Sequence, residues 1–260
     1  MSSEPISRLT ARSVVLSVLL GAHPASATAG ELVRLTADFD IREATLRVAL
    51  TRMVAAGDLV RSDDGYRLSE RRLSRQRRQD AVLNPRLRAR NGQWIVLVVT
   101  TVGIDARGRA ALRSVLQDRR YGELREGVWL RPDNLDEDLP AEATDSVRVM
   151  RAHDAGPAEL AGRLWDLDTW SRTGRELLDI MAGAVDGPLR FVAATRIVRH
   201  LLTDPVLPAE LLPAGWPGGE LRMAYATFAD GLAQQRVGQQ RVGQQRVDQQ
   251  RGDNRLMEVR

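Results

Sequence analysis

Cysteine is absent from the 260 residues, and so is lysine; all 38 basic residues are arginine. Without thiols there is no disulfide framework, no cysteine-ligated zinc or iron–sulfur site and no thiol nucleophile. Without lysine there is no Schiff-base amine and no P-loop phosphate ligand of that kind. Histidine is scarce. His23, His153 and His200 lie far apart in sequence, which fits surface or helix-end residues better than a ligand set. No GxSxG, Gly-rich phosphate loop or HExxH occurs. The acidic stretch 133–142 reads as a solvated loop, not a catalytic pair. The expectation is a non-enzyme without a cofactor. The longest strongly apolar run, WIVLVVTTV (94–102), is about half a membrane span. The N-terminus lacks a basic stretch leading into an apolar core, so a soluble, cytoplasmic chain with no membrane partner is expected.

What is present is an ordinary globular composition, with 43% hydrophobic and 28% charged residues, and enough length for two or three small domains. The charge is unevenly spread. Residues 1–91 hold 16 arginines against 10 acidic residues, residues 92–233 hold 16 against 21, and residues 234–260 hold 6 against 3. A basic head on an acidic body suggests that the head meets a polyanion.

The head has the order of a winged helix-turn-helix. Residues 7–22 carry apolar side chains at helical spacing, with Ser7 as the expected cap and Gly21 and Pro24 as the stop. Thr28 with Glu31 forms a capping box for a second helix running to about Ala37. Asp40 with Glu43 predicts the same device for a third, which runs to about Ala56 and stops at Gly57. Projected at 100° per residue, Leu46, Ala49, Leu50 and Met53 fall on one face of that third helix. Thr45, Arg47, Val48, Thr51 and Arg52 lie outside this stripe. Small residues in the middle of the outer face and arginines on its flanks suit a helix lying in a major groove. DLVRSDDGYRLS (58–69) then predicts a hairpin turning at Asp64-Gly65 in a type I′ turn, with Arg61 and Arg67 on the wing. Residues 71–90 hold eight arginines and one aspartate and read as a solvated helix broken at Asn84-Pro85. That helix is either a further set of phosphate contacts or a linker.

In the body, 94–101 reads as a buried strand, 107–120 as a helix, 122–132 as a strand pair around Glu126-Gly127 and 146–152 as a strand. This order suits a small ferredoxin-like α+β layer, completed by a helix at 157–165. Further helices are expected near 168–184, 188–202 and 219–234. The proline-rich segment DPVLPAELLPAGWPG (204–218) reads as rigid and packed. The tail repeats QQRVG, QQRVG, QQRVD, QQRGD (234–253) and has too few apolar residues for a core, so it is expected to be disordered. Five parts follow: a winged helix (1–70), a basic linker helix (71–91), a ferredoxin-like centre (92–156), a helical domain (157–233) and the tail (234–260).

The segments ARSVVLSVLLG (11–21), LRVALTRMVAAGDL (46–59), REGVWLRP (125–132), RLWDL (163–167) and DPVLPAELLPAGWPG (204–218) resemble the PaaX family of transcriptional repressors, in the family's order. The resemblance implies an α+β multidomain protein with a winged helix-turn-helix, a ferredoxin-like (Cas2-like) centre and a helical C-terminal domain. It also implies a homodimer on a palindromic double-stranded DNA operator, controlling phenylacetate-type catabolism and released by an aryl-CoA thioester such as phenylacetyl-CoA. Arg47, Thr51 and Arg52 match the recognition-helix positions. An acyl-CoA needs arginines for its phosphates and an apolar pocket for its acyl group; Arg113, Trp129, Arg131, Trp165 and Trp170 are of those types. Two other readings remain. One is control by a protein partner instead of a small ligand. The other is a metal-dependent nuclease. Nucleases of the Cas2 fold hold metal with an aspartate at the end of the first strand. Here that strand ends in Thr100-Thr101 and Asp105 comes later, so loss of the metal site is expected.

Overall fold

The computed structural model describes residues 9–234 except 90, 102, 104, 138 and 140. The expected cap Ser7 and the repeat tail beyond residue 234 lie outside the described residues. The described residues form two compact units. One comprises the chain up to Arg78, Ala184–Thr195 and the residues from Met223; the other comprises Gln79–Gly183 and Arg196–Arg222.

In the first unit, helix α1 (Ala11–Leu20) is capped by Thr10, whose hydroxyl accepts from Ser13 N at 3.2 Å. It is apolar nearly all round and is buried on both sides. Val15, Leu19 and Leu20 join the core shared with α2 (Ala29–Ala37) and α3 (Glu43–Ala55); Val14 and Val18 meet a second cluster with Leu35 and Phe191. The Thr28–Glu31 capping box at α2 is present as expected. The box expected at α3 is not. Asp40 sits in the left-handed region at φ 53, where a cap residue must be extended, and the helix starts after Arg42 with no side-chain cap.

Strands β2 (Leu59–Ser62) and β3 (Gly65–Leu68) make the hairpin, and a short strand β1 (Ser26–Ala27), invisible in the sequence pattern, pairs with β3 to give the order β1-β3-β2. The turn is Asp63-Asp64, closed by the Ser62–Gly65 pair, not Asp64-Gly65. Neither aspartate has positive φ, so it is not a type I′ turn. Gly65 takes the unusual backbone itself at φ +144, and a Cβ there would lie 2.4 Å from Ala27 O. A two-residue β1 can therefore close on the hairpin only past a glycine.

Helix α4 (Glu70–Leu83) ends before Asn84-Pro85 as expected, yet it is not simply solvated. Buried Gln76 donates to the carbonyls of Leu19, Leu20 and Ala22, supplying the free C-terminal acceptors of α1.

The second unit is built on four antiparallel strands: β4 (Trp94–Val99), β5 (Gly122–Arg125), β6 (Val128–Pro132) and β7 (Val147–Ala152), in the order β5-β6-β4-β7. Helix α5 (Ala106–Asp118) follows β4, and the short α6 (Ala141–Thr144) precedes β7. Alternation along β4 splits the core. Ile95 and Leu97 face Leu116 of α5, while Trp94 faces Leu160 of α7 (Pro157–Leu164) and Leu167 of α8 (Leu167–Gly183). Helix α9 (Gly187–Leu201) and helix α10 (218–234) each contribute residues to both units. A 3-10 turn, Ala209–Leu211, lies in the proline-rich segment, which is packed as expected, with Val206, Leu207 and Leu211 buried.

The acidic stretch 133–142 is not a solvated loop at its start. Asp133, Asn134 and Leu135 are buried, Asp133 is paired with Arg88 and with Arg151, and Asn134 Nδ2 donates to Val206 O at 2.9 Å.

Candidate nucleic-acid interface

The third helix buries Leu46, Leu50 and Met53 and exposes Thr45, Arg47, Val48, Thr51 and Arg52. Val48 is 51% exposed, a large apolar side chain left in water at the centre of this face. Arg47 Nε donates to Glu43 Oε1 at 2.8 Å, and Nη2 reaches the same oxygen. Thr51 Oγ1 donates back to Arg47 O at 3.1 Å. Arg52 forms no ion pair with a described residue.

Arg61 and Arg67 are both exposed on the wing, but the register separates them. Arg61 lies opposite Tyr66 and Arg67 opposite Val60. Residues directly opposite share a face, so the two arginines point to opposite sides of the hairpin.

Asp58, between α3 and the wing, was not picked out by sequence reasoning. Its backbone N–H donates to Met53 O and its carbonyl accepts from Ser69 N. Its buried carboxylate accepts from Arg12 Nη2 at 2.7 Å, Arg71 Nη2 at 2.9 Å and Arg72 Nε at 2.9 Å. Burial pushes this carboxyl up, but the hydrogen bonds and charges of Arg72 and Arg12 outweigh it and hold it below its ordinary 3.8. One carboxylate thus ties the first helix, the root of the wing and the start of α4 to the end of the third helix. The only sequence signal was a lone acidic residue between Gly57 and the apolar pair Leu59-Val60, of which Leu59 is buried.

In the second unit, the five residues considered for an effector fall into separate places. Arg113 lies 6.0 Å from the Trp129 ring and pairs with Glu123. Arg131, on the same face as Trp129, lies over Tyr121 at 5.0 Å and donates to Glu137 O. Both Trp129 and Arg131 are buried. Trp165 packs on the other face against Trp94, and Trp170 is stacked between His200 and Trp216, each at 4.2 Å. A cavity of about 360 Å³ lies beside Trp165 and Leu167. Its lining includes Asp166, Asp168 and Glu210 and no arginine. That chemistry does not suit the phosphates of a CoA thioester. Asp105 caps α5, accepting from Gly108 N at 2.7 Å. Among the described residues no three metal-ligating side chains come together, and no helix is long and apolar enough to cross a membrane.

A family model described as PaaX-like protein matches residues 10–72, and a PaaX-like protein C-terminal domain matches residues 165–237. The chain belongs to the PaaX-like family. Members are transcriptional regulators, and this PaaX-like chain is accordingly a DNA-binding, non-catalytic protein. It is similar to a solved structure of an uncharacterised protein from Mycobacterium tuberculosis, with 64% identity, a TM-score of 0.81, and coverage of 89% of this chain and 99% of that one. Among curated proteins none matches it.

Proposed function

We propose that the protein is a homodimeric repressor of an aromatic-acid, phenylacetate-type catabolic operon and that an aryl-CoA thioester releases it from DNA. The observation that carries the DNA half of this reading is the outer face of α3, where exposed arginines flank exposed Val48, Thr45 and Thr51. In this reading Arg47 and Arg52 contact base edges or phosphates, Thr51 contacts a phosphate or a thymine methyl, and one of the two wing arginines, Arg61 or Arg67, reaches the backbone from its side of the hairpin. Two α3 helices of a dimer would enter successive major grooves, about one helical turn or a multiple of it apart.

Residues 1–70 then act as the DNA-binding domain, with 71–91 linking it to the body. The order β5-β6-β4-β7 with helices after β4 and before β7 supports a ferredoxin-like reading of 92–156, followed by a helical domain. Effector release requires different affinity for two states of the dimer. The effector half rests on family membership and not on a formed pocket.

The test is fluorescence anisotropy with the DNA upstream of the protein's own gene, at one stated salt concentration, with and without phenylacetyl-CoA. Tight binding that resists competitor DNA and is released by the thioester is expected. Specific binding indifferent to phenylacetyl-CoA would remove the effector half and favour a protein partner. No specific binding to that DNA or to a genomic fragment library would remove the operator reading. Arg47→Ala and Arg52→Ala should each cost about 1–3 kcal/mol of operator binding if they contact bases.

A further inference from the structure

We propose that Glu43 is a positioning residue that aims Arg47 at a guanine and so sets base preference at one operator position; this rests on the reading of α3 as the recognition helix. Sequence pattern assigns Glu43 to a cap with Asp40. The left-handed backbone at Asp40 removes that role, and the carboxylate turns along the helix to Arg47 instead. The contact has a particular shape. One carboxylate oxygen takes both the Nε hydrogen and a hydrogen of Nη2, which is the side edge of the guanidinium. Toward the described residues, the outward hydrogens of Nη1 and Nη2 stay uncommitted. Those form the end of the fork, which matches the O6 and N7 acceptors of guanine in the major groove.

An exposed pair at this spacing contributes little to stability on its own. Its effect is on orientation. A long side chain loses rotamer freedom when it docks, and a partner that already holds it reduces that loss. The carboxylate also carries a negative charge, which disfavours approach of the same face to phosphates. Glu43 therefore trades general affinity for base discrimination. Arg52, with no carboxylate partner among the described residues, lacks this constraint.

The test is selection of binding sites from randomised duplex DNA with the full chain, its Glu43→Ala and Arg47→Ala variants and the double variant, together with affinity for unselected duplex at fixed salt. The parent is expected to prefer guanine on the order of tenfold or more at one position per half-site. Arg47→Ala should abolish that preference. Glu43→Ala should reduce it to a few-fold at the same position only, bind unselected duplex at least as tightly as the parent, and have no further effect once Arg47 is gone. An unchanged preference in Glu43→Ala would overturn the proposal. So would a loss spread evenly over all positions, which would mark a merely structural role. If the parent selects no motif, the recognition-helix reading falls and the proposal with it.

Discussion

Each of the two units is organised around a buried aspartate that gathers arginines, and the two hubs differ in where those arginines go. In the first unit Asp58 holds Arg72, which is 17% exposed, and also Arg12 and Arg71, which remain 54% and 69% exposed. In the second, Asp204 Oδ2 pairs with Arg222 at 2.7 Å, its Oδ1 accepts from Val206 N at 2.9 Å and its carbonyl accepts from Arg120 Nη1 at 2.7 Å; all three residues have little solvent access. The second hub also holds a strained segment. Val206 is β-branched yet sits at φ 51, kept there by Asp204 on its N–H and Asn134 on its carbonyl. Burial lowers the affinity of Arg120 for its proton, with Glu137 and Asp204 opposing that shift. The first hub clamps three chain segments from the edge of the solvent; the second locks one segment from within.

The largest expected effect is at the inner hub. Asp204→Ala removes the carboxylate that pairs with half-buried Arg222 and accepts from Val206 N, and takes a buried negative charge from beside Arg120, whose bond to the backbone carbonyl remains; it should cost about 3–5 kcal/mol. All five tryptophans lie in this unit, so urea unfolding followed by tryptophan fluorescence measures it. Asp58→Ala should cost less, about 1–3 kcal/mol, because two of its three arginines, Arg12 and Arg71, regain water. Far-ultraviolet circular dichroism should register this loss more than tryptophan fluorescence does. Equal costs at the two sites would break the comparison.

Acid should separate the units next. Desolvation lowers the pKa of His200 from its ordinary 6.5, despite its hydrogen bond to Trp170 O and the charge of Asp204. The unfolded chain then binds the proton more readily, so this contribution is present above about pH 6.5 and is lost as pH falls toward the folded pKa. For Asp58, also lowered, the contribution is present above the unfolded value near 3.8 and fades only as pH falls below it. Melting followed by fluorescence should weaken as pH falls below about 6.5 and lose that slope in His200→Gln. The circular dichroism change tied to Asp58 should appear only near pH 4 and below.

The smallest effect lies within the head. Because Arg61 and Arg67 face opposite sides of the wing, only one of the two alanine variants should weaken DNA binding and reduce the salt slope, by about one. Equal losses from both would mean that the hairpin rearranges on DNA.

Much of the head was legible in sequence because its signals are local. The Thr28–Glu31 box, the stripe Leu46, Leu50 and Met53, and the break at Asn84-Pro85 each depend on residues a few positions apart. The failures occurred where a distant segment intervenes. Asp63-Asp64 replaces Asp64-Gly65 as the turn because β1 closes on Gly65. Gln76 is buried in an arginine-rich helix because the end of α1 needs donors. The Glu43–Arg47 pair was available from its spacing, but the expected cap at Asp40 competed for the same carboxylate.

By itself the sequence determined where most helices and strands form, which face of α3 stays in water and which family the chain resembles. Those follow from periodicity, capping and turn chemistry acting over one or two turns. Only the tertiary structure decided that Arg12 and Asp58, 46 positions apart, share an ion pair, and that Phe191 and Phe228 pack with Phe39 against the head. It also separated Arg113, Trp129 and Arg131 from Trp165 and Trp170 across the sheet. Such partnerships arise when chain closure brings remote groups into one desolvated space, where an unpaired charge or polar group is costly, and no local pattern encodes which remote group arrives.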